Sequence, residues 1–205
     1  MCYYYAINER LDKIERRTNA KFDQEGFEPI KEVNGFVHPY MPIIVDKRPD
    51  LITGANWGLL PTWAKDTSFQ KNTLNARIET LDEKPSFKNV IKNRCLIPVT
   101  NFFEWQWLDE KGKQKQKYSI GVEGEEIFCF AGIYSIWNNP ENGNPMLTYT
   151  IITTQANELM SEIHNTKKRM PVILNSEHHK LWLEGENYKE FAFPYESKLL
   201  AHPIG

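Results

Sequence analysis

Three cysteines in 205 residues, Cys2, Cys95 and Cys129, are too few and too scattered for a disulfide framework. No apolar run approaches the roughly 20 residues of a membrane-spanning helix, and no secretory h-region opens the chain. No Cys/His spacing has the pattern of a zinc site, so neither metal nor cofactor is expected. Repeats and low-complexity segments are absent. Neither sign of charge dominates: 25 Lys and Arg stand against 27 Asp and Glu, a net of −2. That excludes a bulk electrostatic binder of nucleic acid, so any anion-binding groove has to be local. The first hundred residues carry 15 basic and 13 acidic side chains, which favours that half for such a groove. These absences point to a reducing, cytoplasmic compartment and a monomer with no membrane contact. What is present is a 40 % apolar chain with 26 aromatic rings, enough to fold as one domain over residues 1–205 and bury roughly 70 % of its unfolded surface.

The pattern along the chain is mixed. CYYYAI (2–7) reads as a strand, and Asn8 as the cap of a helix reaching about Arg17. Residues 18–51 are punctuated by Pro29, Pro39, Pro42 and Pro49, and only PIIVD (42–46) looks extended there. Residues 75–93 hold two short helical patterns broken at Pro85. Then come five β-branched and aromatic runs: RCLIP, NFFEWQWL, QKYSIGV, IFCFAGIYSIW and MLTYTIITT. Turn clusters at 109–113 and 138–145 make an antiparallel meander of them, and the lysines of 111–117 mark a solvated, charge-protected edge. Helices are expected near 155–163 and 176–183. The class is α+β: a curved or barrel-like antiparallel sheet with peripheral helices.

A few residues carry chemistry. Aminopeptidases remove an initiator Met when a small residue follows, so Cys2 is expected to end with a free α-amine beside its thiol. An α-amine has a pKa near 8, so far more of it is neutral at pH 7 than of a lysine. A 1,2-aminothiol attacks an aldehyde twice, by Schiff base and then by thiazolidine closure, and is equally suited to N-terminal-nucleophile hydrolysis of amides. Strand alternation puts Phe102 and Glu104 on one face and Phe103 and Trp105 on the other; Glu104 reads either as a carboxyl among rings with a raised pKa suited to proton transfer or as a strand-end Glu facing water. His164, just past a predicted helix, reads either as a proton shuttle near pH 7 or as a capping or surface histidine. Asn75, Arg77 and Glu79 project to one side of an extended segment, where Arg77 suits a phosphate. The same three also read as a helix cap and a local ion pair. Tyr40, Trp57 and Trp63 read either as a stacking platform for unpaired bases or as core. Cys95 and Cys129 sit in apolar runs as small core hydrophobes.

Together and in order, these blocks resemble the SRAP family (SOS response-associated peptidases), sensors of abasic sites in single-stranded DNA. Cys2 matches the family nucleophile. ANWGLLPTWAKD (55–66), LNARIET (74–80), RCLIPVTNFFEW (94–105), FAGIYSIW (130–137) and TTQANELMSEIHNTKKRMPVIL (153–174) match its successive motifs. Two departures stand out. The family usually begins Cys-Gly-Arg, where this chain has Cys2-Tyr3-Tyr4, and HNTKKRMP replaces H-x-R-M-P. The resemblance implies capture of the ring-opened sugar aldehyde by the Cys2 amine and thiol, with Asn75, Glu104 and His164 as the other catalytic residues. It further implies DNA contact by Arg77, Trp57, Trp63, Trp105, Lys167 and Lys168, with the protein associated with the nucleoid when bound. The competing readings are a thiol peptidase or amidohydrolase using the same Cys2, and a single-strand-binding module in which Cys2 is a bystander.

Overall fold

The computed structural model describes residues 2–24 and 26–205. Fourteen strands follow in chain order: β1 (Tyr4–Ile7), β2 (Lys21–Phe22), β3 (Ile30–Asn34), β4 (Tyr40–Val45), β5 (Arg48–Trp57), β6 (Asn75–Arg77), β7 (Arg94–Val99), β8 (Asn101–Trp107), β9 (Lys115–Val122), β10 (Phe128–Asn138), β11 (Pro145–Gln155), β12 (Arg169–Pro171), β13 (Ile173–Leu174) and β14 (Leu199–Ile204). Three short α-helices, α1 (Leu11–Thr18), α2 (Glu158–Ile163) and α3 (His179–Leu183), lie among them.

Five strands form a closed ring. β11 pairs with β10, β10 with β7, β7 with β4 and β4 with β5, all antiparallel; β5 then returns to β11 in parallel through Thr148 opposite Asn56 and Tyr149 opposite Trp57. The ring leaves these five strands no open edge where they meet. Around it, β6 and β2 add further parallel pairings, to β11 and β5. The expected meander is therefore a barrel with a parallel seam, set by pairings some ninety residues apart. Where β10 passes β7, Gly132 is required: a Cβ there would lie 2.6 Å from Ile97 Cδ1 and 2.8 Å from Cys95 Sγ.

The second sheet runs β14-β9-β8-β1-β3. The chain crosses into it at a one-residue corner, Thr100, whose N–H donates to Ala6 O at 2.9 Å while its hydroxyl accepts from Asn8 N–H. Tyr5 pairs with Phe102 and Val33, and Phe102 with Ile120. These side chains share one face and are buried with the barrel residues in a single cluster. Cys95 and Cys129 belong to it, as expected.

Several elements differ from expectation. The first helix begins at Leu11, with Arg10 rather than Asn8 at its cap. Residues 75–93 contain β6, a 3₁₀ turn at Ile78–Thr80 and further turns instead of two helices. β9 is not an edge, because β14 covers it. The helix expected from 176 starts as a 3₁₀ turn and becomes α-helical at His179, without a side-chain cap. No helix among the described residues is long and apolar enough to cross a membrane.

Candidate active site

The site forms where β1 and β8 run out together. Tyr4 is opposite Phe103, so the antiparallel register carries Tyr3 toward Glu104 and Cys2 toward Trp105. Glu104 faces the same side as Phe102, and Trp105 the same side as Phe103, as alternation predicts. Cys2 is fully buried. Its carbonyl accepts a hydrogen bond from Asn75 Nδ2 at 2.9 Å, and its Sγ lies 3.7 Å from Tyr4 O. Asn75 is presented by β6, whose parallel register with β11 sets it against Ile151. Burial, then the neighbouring Glu104 carboxylate, push the Cys2 thiol well above the ordinary thiol range.

Glu104 is 6 % exposed, and that burial raises its carboxyl to about 7. His164 is 7 % exposed and is pushed the other way, to about 4, again chiefly by burial. Its Nδ1 stands 2.8 Å from Arg169 O and 3.2 Å from Arg169 N. The shorter contact assigns the Nδ1 proton to the carbonyl and makes Nε2 the basic nitrogen. At neutral pH the imidazole is uncharged, while Glu104 sits near half-ionisation. Met1, whose removal the sequence predicts, lies outside the described residues.

The loop carrying His164 is tied down on two sides. Arg169, 8 % exposed, makes a bidentate pair with Glu79 at 2.8 Å for each bond and donates to Thr153 O at 2.8 Å. On the other side Asn165 behaves like one more strand residue. Its Oδ1 accepts from Trp107 N–H at 3.2 Å and its Nδ2 donates to Trp107 O at 2.9 Å. One residue pair further in, Gln106 Nε2 donates to Glu162 O at 3.2 Å. The histidine segment thus rides along the outer end of β8, the strand that carries Glu104. Asn165 and Gln106 were not foreseen; the only sequence signal was the lengthened HNTKKRMP block.

Cys2 and Asn75 are hydrogen-bonded and Cys2 lies within electrostatic reach of Glu104, while His164 sits on the loop tied to the outer end of β8. Arg77 is exposed, and Glu79, which shares its segment, pairs with Arg169. Lys167 and Lys168 are exposed on the same loop as His164, Lys168 in the left-handed region at φ 48°. Trp63 is 50 % exposed, with its ring edge-on to Phe69. Trp105 is half-buried, edge-on to Tyr4 at 4.9 Å and covered by Lys117 at 5.2 Å. Trp57 is a correction. It is fully buried beside Tyr5 and Tyr149, its Nε1 donating to Leu74 O at 2.8 Å, so its ring has no face open to a strand of DNA. Among the described residues no His, Cys, Asp and Glu side chains gather as metal ligands.

The family model described as SOS response associated peptidase (SRAP) matches residues 1–205. The chain belongs to the SRAP family. Among its relatives in the family is the abasic site processing protein YoqW of Bacillus subtilis (strain 168), 47 % identical over 190 residues, which cover 91 % of this chain and 82 % of that one. The abasic site processing protein HMCES of Gallus gallus is 34 % identical over 155 residues, 64 % of this chain and 44 % of the larger bird protein. A crystal structure of a Bacteroides thetaiotaomicron protein superposes with a TM-score of 0.89 at 35 % identity, covering all of this chain and 92 % of that one. A Bordetella bronchiseptica protein shares the fold at 20 % identity, with a TM-score of 0.81.

Proposed function

We propose that this SRAP protein processes abasic sites in single-stranded DNA by crosslinking itself to them through Cys2. The observation that supports the reading is a fully buried Cys2 within electrostatic reach of Glu104, a carboxyl held near neutrality by burial. The names of the relatives point to the same lesion.

The chemistry begins once Met1 is removed. The Cys2 amine adds to the C1′ aldehyde of the ring-opened sugar, and loss of one water gives the Schiff base. The thiol then adds across the C=N bond: a C–S bond forms, the S–H proton ends on nitrogen, and the thiazolidine closes. Glu104, near half-ionisation at pH 7, takes a proton from the ammonium form of the amine and returns one to the departing water. Asn75 holds the Cys2 carbonyl and so fixes where amine and thiol point. Neutral His164, oriented through Nδ1, accepts the C1′ hydroxyl proton as the C1′–O4′ bond breaks and passes a proton to O4′, leaving the C1′ aldehyde and the 4′-hydroxyl, and it assists release of the crosslink. Arg77, Lys167 and Lys168 neutralise phosphates, and Trp63 and Trp105 offer ring faces to bases. Closing the thiazolidine removes the Schiff base that would lead to β-elimination, so the strand is shielded from cleavage.

The test is direct. The mature protein, its Met1 status read by intact mass, is incubated with single-stranded DNA bearing one abasic site and run on a denaturing gel. A heat-stable shifted band that vanishes in Cys2→Ser is the expected result. No band, or one that survives Cys2→Ser, overturns the reading; amide turnover without a crosslink would instead support the hydrolase.

A further inference from the structure

The segment between β2 and β3 leaves a cleft of about 300 Å³ against β4 and β5, lined by no residue of the Cys2 site. The buried Pro42 and Ile52 line it from the barrel, and the stacked rings of Phe22 and Phe27, 5.1 Å apart and 27° from parallel, line it from the segment. Tyr40, 57 % exposed, stands at its lip. Tyr40 is paired with Asn56 across β4 and β5, so its ring leans diagonally over Gly54, where a Cβ would lie 2.1 Å from Tyr40 Cε1. Only glycine lets the ring lie that close to the strand.

Charge and backbone narrow what fits there. Asp23 and Glu28 are exposed at the cleft, and among the described residues no lysine or arginine lines it and neither carboxylate has an ion-pair partner. Lys21, two residues before Asp23, is held by Glu15 at 2.7 Å. Unpaired carboxylates repel a phosphate chain and attract a cation. On the backbone, Trp57 N–H donates to Pro39 O, while Ile52 O accepts from Asp23 N–H. Along β5 the odd-numbered residues therefore bond toward β4, and Ile52, Gly54 and Asn56 turn their N–H and C=O to the other edge. On that edge β2 covers Leu51 and Ile52, and β11 covers Asn56 and Trp57. Among the described residues no strand covers Gly54 between them, and Gly54 lines the cleft.

We propose that this cleft docks an extended peptide segment of a partner protein. An aromatic side chain of the segment enters between the Phe22–Phe27 pair and Tyr40. A lysine or arginine two residues away, on the same face of the extended segment, meets Asp23 and Glu28. The backbone of the segment pairs with Gly54. Main-chain bonds at a strand edge give such a site affinity, and the pocket beside it gives specificity. Each feature excludes another occupant. The carboxylates turn away DNA and acidic chains. A free apolar molecule would leave both the carboxylates and the Gly54 edge unused. The proposal goes beyond the function assigned to Cys2 and does not depend on it.

The probe is the capped peptide acetyl-Thr-Lys-Thr-Phe-Thr-Lys-Thr-amide, titrated into the ¹⁵N-labelled full chain. The amide signals of Asp23, Thr53 and Gly54 are expected to shift saturably. Alanine in place of the peptide's phenylalanine is expected to weaken binding about tenfold. Glutamine in place of both its lysines, or Asp23→Asn with Glu28→Gln in the protein, is expected to weaken it about threefold, and the two changes together no further. N-methylation of the phenylalanine nitrogen, which removes its donor to Gly54, is expected to weaken it about fivefold. No saturable shift at these amides overturns the proposal, as does equal binding of the phenylalanine and alanine peptides. Shifts of the same amides by 2-phenylethylamine with equal affinity mark a small-amine site and overturn it too. So do the same shifts produced by single-stranded DNA, or by raising the concentration of the chain alone, which mark a nucleic-acid surface or a second copy. Should the Asp23 and Glu28 variant lose its dispersed spectrum, the lysine-free peptide on the wild type decides the charge contribution.

Discussion

Inside the barrel, burial and polarity are reconciled. Trp57 and Tyr149 lie fully buried with rings 6.3 Å apart, Tyr5 packs at 5.1 Å, the two tyrosine hydroxyls pair at 2.9 Å and Trp57 Nε1 has the Leu74 carbonyl. At the outer end of β1 and β8, Cys2, Glu104 and His164 are nearly as deeply buried, but there burial moves acid-base behaviour instead of adding packing. The two regions touch. Leu74, which accepts the Trp57 hydrogen bond, directly precedes Asn75, which holds Cys2. One region fixes geometry so that the other can hold ionisable groups away from their ordinary pKa values, a combination typical of reactive sites.

The comparison breaks most visibly at Trp57. Trp57→Ala empties an indole-sized volume at the parallel seam and removes one of the two donors to Leu74 O, the Ile151 N–H remaining. Destabilisation of about 3–5 kcal/mol is expected in denaturant melts. If stability holds but crosslinking is lost, Trp57 belongs to the site rather than to the frame.

Glu104→Gln tests the other region. The crosslinking rate is expected to fall about 10²- to 10³-fold, with the dependence on pH around 7 flattened. Stability is expected to change little at neutral pH, but its pH dependence is diagnostic. A carboxyl raised to about 7 in the fold keeps a proton that the unfolded chain has already released, so between about 4.5 and 7 it makes stability fall as pH rises. A histidine lowered to about 4 lacks a proton that the unfolded chain binds, so between about 4 and 6.5 it makes stability rise with pH. In the overlap the two slopes oppose each other, Cys2 and Tyr3 facing Glu104, and Lys167 and Arg169 facing His164. His179, also lowered to about 4, adds a second rising slope, so removing the Glu104 proton should steepen the climb across that overlap by about 1.4 kcal/mol per pH unit relative to wild type in urea melts. The same profile in both proteins would mean that burial does not raise the Glu104 carboxyl.

Much of this division was legible in the sequence. Glu104 could be assigned to the Phe102 face because a strand alternates, and the order of motifs around Cys2, Asn75 and His164 carried the rest. The closure of the barrel was not legible, because the β5–β11 seam joins residues far apart in sequence and nothing local marks a parallel partner. β3 and β14 were missed since Ile30–Asn34 carries two exposed charges and Leu199–Ile204 a proline. Trp57 was misassigned because an aromatic near a turn reads alike whether it faces solvent or core. The Gly54 cleft and the Asn165 tie depend on contacts between segments that no periodicity links.

Asn165 sharpens the comparison at smaller scale, since it joins the site to a strand without touching the reacting groups. Asn165→Ala gives up both bonds to Trp107, which lie near solvent. A loss of about 1 kcal/mol of loop order, or about fivefold in crosslinking rate, is expected. Amide exchange should quicken in 164–168 while the barrel strands stay protected; exchange that quickens everywhere would show that the loop supports the fold.

The smallest effect concerns Lys167 and Lys168, the added charges in an otherwise acidic half. Two phosphates neutralised on a single strand contribute about 1.4 to the slope of log affinity against log salt. Lys167→Ala with Lys168→Ala is therefore expected to lower that slope by about this amount, equally for every sequence and with no change in Cys2 capture of 2-deoxyribose 5-phosphate. A slope that stays put would mean that the lengthened loop serves only to carry Asn165 to β8, leaving Arg77 and the rings to hold the strand.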